Sequence, residues 1–181
     1  MRVIHTLPLV AAFLLVACGG ETDADGDGEL SADEVAAEAE GMVQPRPGQY
    51  RTTAELVEFD VPGMPDSAKE QMRTMMAGGL AEGNTTCLTE EDAAKNGARE
   101  MVQDLAEGDC TIGTFNVSGN SVVAEMQCAG GGGPEGTVRM EGEMGAESST
   151  MTMEFDQNLG GAGKAHIKMR MNSERIGECA A

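Results

Sequence analysis

The sequence predicts an α+β domain: an antiparallel sheet of about six strands, mostly a meander, with two helices inserted after strand one and disulfides stapling it. Three observations carry this. Apolar residues alternate with period two through the C-terminal half, as at Val138 and Met140, at Met151, Met153 and Phe155, and at Ile167, Met169 and Met171. Between the first strand and these, the spacing turns helical at Met72, Met75, Met76 and Leu80. Cysteines are spaced for cross-links across the domain.

The chain opens with Met1-Arg2 and an apolar run, Leu7 to Ala17, interrupted by Pro8 and too short to span a bilayer. It ends in Leu15-Val16-Ala17-Cys18-Gly19, which resembles the lipobox of bacterial lipoproteins. The resemblance implies that residues 1–17 are a signal peptide and that Cys18 becomes the lipidated N-terminus. Several acyl chains on one residue anchor stably where one would not. Gly19 after the cysteine resembles lipoproteins sent to the outer membrane, facing the periplasm.

Residues 18–46 read as an acidic tether, and they hold one specific pattern. Asp23-Ala-Asp-Gly-Asp-Gly-Glu-Leu-Ser-Ala-Asp-Glu34 fills an EF-hand-like calcium loop. Ca²⁺ takes oxygen ligands from positions 1, 3, 5, 7, 9 and 12 of such a loop. These are Asp23, Asp25, Asp27, the Glu29 carbonyl, Ser31 through a water, and bidentate Glu34. Gly28 sits where the chain turns sharply, and Leu30 points away from the metal. A plain solvated linker explains the carboxylates but not Gly28, Leu30 and Glu34 in register. A short helix, Ala32 to about Met42, follows; no incoming helix and no second loop accompany it. Weak affinity is expected, on the order of 10⁻⁴–10⁻³ M as in extracellular modules.

Pro45-Arg46-Pro47-Gly48 marks the boundary to a domain at 47–181. Gln49 to Val61 reads as a long strand stopped by Pro62-Gly63. Asp66 is the expected cap of a helix running to about Gly78. Thr89-Glu90-Glu91-Asp92 resembles a capping box and opens a helix to about Leu105, burying Ala94, Ala98, Met101, Val102 and Leu105. Thr111–Val117 and Ser121–Gln127 form a hairpin about Ser118-Gly119-Asn120. The Gly130–Gly133 run is a loop, and the Met-rich strands follow.

Setting Cys18 aside leaves four cysteines, which allow three pairings. Cys110 and Cys128 lie equidistant from Gly119, so the hairpin favours Cys110–Cys128 and leaves Cys87–Cys179. Removing residues 1–17 takes away Arg2 and no acid, so the formal charge of −19 becomes −20. That field disfavours nucleic acid and attracts cationic proteins or divalent ions.

Pro47-Gly48-Gln49-Tyr50, Cys87-Leu-Thr-Glu-Glu-Asp-Ala93, the Cys110 and Cys128 hairpin, the Met-rich strands and Glu174-Arg-Ile-Gly-Glu-Cys179 together resemble the DUF3617 family, small Gram-negative envelope proteins of unknown function. The resemblance covers roughly residues 45–179. It implies an exported β-rich domain and brings no catalytic residue.

Other patterns carry less. Met151, Met153, Met169 and Met171 could serve Cu(I), which thioethers suit, but period two is also what one buried strand face requires. Lys164, His166, Lys168 and Arg170 alternate on the opposite face, either as a docking stripe for an anion or, more simply, as cross-strand partners of Glu154 and Asp156. No nucleophile–base pair can be named. The expected protein is therefore a non-enzymatic, membrane-anchored envelope protein with a weak Ca²⁺ site in its tether. The alternatives are an acidic binder of a cationic cell-wall hydrolase and a Cu(I) carrier.

Overall fold

The computed structural model describes residues 28–94, 109–130 and 134–180. Seven strands lie in it: β1 (Gly48–Asp60), β2 (Asn84–Leu88), β3 (Cys110–Ser118), β4 (Ser121–Ala129), β5 (Pro134–Met144), β6 (Ser148–Asn158) and β7 (Lys164–Gly177). They form one sheet in the order β2-β1-β7-β6-β5-β4-β3, antiparallel throughout. Strands β3 to β7 are a meander, and β1 closes against the last of them. The helices are α1 (Ala32–Glu38), α2 (Asp66–Ala81) and α3 (Glu90–Ala94).

Seven strands correct the expected six. The unforeseen one is β2, Asn-Thr-Thr-Cys-Leu, which pairs with β1 from Gly48↔Leu88 to Thr52↔Asn84. Four of its five residues are exposed, so it has no buried face to write an apolar alternation. Its presence also separates the two helices expected side by side: α2 precedes it and α3 follows. Asp66 is not the cap of α2 but its first residue. The cap is Pro65, whose extended backbone offers its carbonyl to the N–H groups of Ala68 and Lys69. The cap of α3 does form with Asp in place of Glu: Asp92 N–H donates to Thr89 Oγ1, which donates to Asp92 Oδ2. The expected continuation of that helix to Leu105, and residues 131–133 of the glycine run, lie outside the described residues.

The β3–β4 hairpin turns on Gly119-Asn120, with Ser118 opposite Ser121. A regular ladder from that turn would misalign the cysteines by one residue. The register slips between Ile112 and Thr114, at Gly113, and Cys110 then stands opposite Cys128. Those two are bonded, Cα to Cα 4.0 Å, and Cys87 is bonded to Cys179, 5.4 Å.

One face of the sheet is the core. Leu56, Phe59, Ile112, Phe115, Val122, Met126, Val138, Phe155 and Ile167 are buried on it. Met140, Met153 and Met169 pack partly buried beside them. Toward the β1 edge, α2 lays Met72, Met76 and Leu80 on this core without fully burying any residue. Toward the β3 edge, α1 covers it with Val35, Ala36 and the following Ala39, all buried. The helix after the acidic loop therefore does not stand alone. A seven-residue helix is marginal in water, and it is this apolar contact that makes it a stable element.

Candidate functional site

Two places hold chemistry: the polar face of the sheet and the segment that carries the acidic loop into α1. On the polar face, Glu125, Arg139, Glu154, Lys168 and Glu58 stand opposite one another on five neighbouring strands. The signs alternate across the row. Arg139 Nε donates to Glu125 at 3.1 Å and Lys168 Nζ to Glu154 at 3.2 Å. His166 Nδ1 lies 3.0 Å from Asp156, Lys164 Nζ 3.6 Å from Asp156, and Arg170 3.8 Å from Glu55. The basic stripe of β7 is thus engaged by cross-strand acids, as the simpler reading of Lys164, His166, Lys168 and Arg170 has it. A shallow hollow of about 250 Å³ opens here, lined by Thr114, Glu125, Arg139, Glu154 and Lys168 among others. Its cations are already occupied by neighbouring carboxylates, so it offers an incoming anion little uncommitted charge.

On the core face, Met151↔Met171 and Met153↔Met169 are directly opposed across β6 and β7. Met153 and Met169 pack on the buried cluster. The thioethers are thereby brought together by a packing requirement.

The acidic loop enters the described residues at Gly28. Of its six candidate ligands, Glu29, Ser31 and Glu34 are described; Asp23, Asp25 and Asp27 lie outside, as does Cys18, the residue expected to be lipidated. Gly28 has φ +85°, the left-handed conformation that a side chain would resist. Leu30 is buried, and its N–H donates to the carbonyl of Ile112 on β3 at 2.7 Å. Ser31 is the N-cap of α1. Its N–H and its hydroxyl each donate to Glu34 Oε2 at 2.7 Å, while the Glu34 N–H donates back to Ser31 Oγ at 3.3 Å. This reciprocal capping box joins two candidate ligands, and it is a signal the sequence shows as Ser-x-x-Glu. Among the described residues alone, no three His, Cys, Asp or Glu side chains converge as a metal cluster.

The downstream half of the segment is tied to the sheet as well. Val117 N–H on β3 donates to Glu38 Oε1 at 3.3 Å. Farther on, Arg46 N–H donates to the Ala146 carbonyl, and its guanidinium pairs with Glu147 at 2.6 Å. The Tyr50 hydroxyl lies 2.8 Å from the Arg46 carbonyl and 3.1 Å from that of Ala146, a single proton serving both. The stretch from Leu30 to Pro47 therefore runs along the body of the domain. These contacts join residues roughly 80 to 100 positions apart in the chain, so no local pattern announces them.

Residues 45–179 match the family model described as "Protein of unknown function (DUF3617)". Neither the curated proteins nor the solved structures contain a match to the chain.

Proposed function

The chain belongs to the DUF3617 family, and from that premise we propose a lipid-anchored, non-enzymatic envelope protein whose membrane-proximal loop binds Ca²⁺ weakly. Cys18 is the lipidated residue, and the outer membrane, on its periplasmic side, is the proposed address. Asp23, Asp25, Asp27, Glu29, Ser31 and Glu34 are the proposed ligands. One observation supports the metal reading beyond the residue pattern. Gly28 takes the left-handed turn that such a loop requires at position 6, and Leu30 at position 8 is turned inward; Glu34 Oε2 accepts from the Ser31 N–H and hydroxyl, and would leave that capping box to serve as the bidentate ligand.

Ca²⁺ bound there would stiffen the stretch that leads from the proposed lipid to the sheet. Twelve residues lead from Cys18 to Leu30, a reach of at most about 40 Å when fully extended. Winding part of it around a metal shortens that reach and holds the domain nearer the bilayer. With spin labels at Thr22 and at Thr152, the distance distribution should narrow between EDTA and millimolar Ca²⁺. Identical distributions would contradict the stiffening. Binding of a basic wall hydrolase by the acidic domain is the competing reading. It requires a salt-sensitive partner that the −20 chain retains at low ionic strength and releases at high.

A further inference from the structure

The two edges of the sheet, β3 and β2, are finished differently. On β3 the Ile112 carbonyl accepts from the Leu30 N–H, the Val117 N–H donates to Glu38, and α1 packs against the strand. An edge strand offers unpaired N–H and C=O groups, and proteins blunt it with covers, charges, prolines or bulges. Strand β2 shows none of these devices among the described residues. Asn84, Thr85, Thr86 and Cys87 are exposed, and none of its five residues is charged or a proline. Its register with β1 runs unbroken from Leu88 to Asn84. In such an antiparallel ladder every second residue of the outer strand turns both its N–H and its C=O outward.

Burial does little to hold β2, yet the strand is fixed in place. Cys87 is bonded to Cys179, just past the end of β7. A strand held in register by a covalent bond keeps its outer edge open and already ordered. That lowers the cost of adding another strand to it.

Charge decides which strand fits. Glu82 stands just before β2 and Glu90 just after it, both exposed. Two copies of β2 paired antiparallel over all five residues, Thr86 on Thr86, would bring Glu82 of each to Glu90 of the other. Like charges placed opposite one another are destabilising, and two chains of formal charge −19 repel besides. The same two carboxylates suit a strand with a cation at each end and uncharged residues between. Thr85 and Thr86 are β-branched, and β-branched residues pack well across from them.

We infer that the outer edge of β2 is a docking strand for an extended cationic segment of another protein, which joins the sheet by antiparallel strand addition. The inference uses no residue of the calcium loop and stands independently of it.

The test uses the full mature chain with Cys18→Ser, disulfides intact, and a capped probe peptide, Lys-Lys-Thr-Val-Thr-Val-Thr-Lys-Lys. With peptide at about ten times its Kd, the outward β2 amides should exchange ~10-fold more slowly, as mass action requires. The Val117 amide on the opposite edge should not change. A peptide with Pro at its central Thr loses a ladder donor and should bind at least ~5-fold more weakly. The double variant Glu82→Lys, Glu90→Lys alters only exposed side chains flanking β2. It should bind the Lys-ended peptide at least ~5-fold more weakly and prefer a Glu-ended one. Equal binding of the proline peptide, or protection that misses β2, would reduce the attraction to charge alone and overturn the inference. No binding at low ionic strength overturns it outright. Protection of β2 that grows with protein concentration in the absence of peptide would make the occupant a second copy, and overturns it likewise.

Discussion

Single residues hold this structure at points of close approach. Gly142 on β5 is one. A Cβ there would sit 2.2 Å from the Thr150 carbonyl and 2.9 Å from Met151 Sδ. Backbone cannot yield that distance cheaply, so Gly142→Ala should destabilise the domain by about 1–3 kcal/mol, the usual cost of overpacking, in a urea melt. A cost below a few tenths would show that β5 and β6 can part without penalty. Leu30 is another: it fills core rather than solvent, so Leu30→Ala should cost about 2 kcal/mol, the low end for a truncated buried leucine. The pattern that suggests a calcium loop also marks Leu30 as an inward residue. What it turns toward was not legible, because Ile112 is distant in sequence and the contact is made by a backbone carbonyl that no residue type announces.

At the scale of elements, local signals were readable wherever one face is buried and one is wet. The hairpin, β5, β6 and β7 all show period-two patterns, and all are strands. Strand β2 fails that rule because four of its five residues are exposed and neither of its faces is covered. The alternation of Lys164, His166, Lys168 and Arg170 was read toward Glu154 and Asp156, and cross-strand pairs are what forms. The two disulfides constrain elements very unequally. Cys87–Cys179 closes a separation of 92 residues and Cys110–Cys128 one of 18. In the chain-entropy account their removal costs about 4.6 and about 3.2 kcal/mol respectively. Paired Cys→Ser substitutions should therefore rank in that order by chemical denaturation, and the reverse order would place the stabilisation in native strain or contacts instead. Helix α2 fully buries none of its residues. Its first turn is tied down by Lys69, which bonds Asp60 at 3.1 Å and lies 3.5 Å from Asp66. The hydrogen bond to Asp60, chiefly, raises the Lys69 pKa above its ordinary value. A raised pKa in the folded state means the contribution is complete below the unfolded value, about 10.4, and is lost as pH climbs through the folded one. Stability to urea should therefore fall as pH climbs above that value, and Lys69→Met should remove that part of the fall.

At the scale of the molecule, the described residues build a single sheet, apolar on one side and laced with charge pairs on the other. The helix that closes one flank comes from the segment after the acidic loop. The chain's formal charge of −19 makes adhesion to anionic lipid unfavourable, which suits the covalent anchor proposed. The same charge favours divalent cations, and the acidic loop is the place proposed to hold one. The most direct measurement is a calorimetric Ca²⁺ titration of the mature chain, unacylated through Cys18→Ser, beside Asp23→Ala and Glu34→Ala. Saturable binding in the parent, on the order of 10⁻⁴–10⁻³ M and lost in both variants, is the result expected. Absence of binding up to several times that concentration would contradict the account, and would leave residues 23–34 as an acidic spacer leading into a helix that merely caps the sheet.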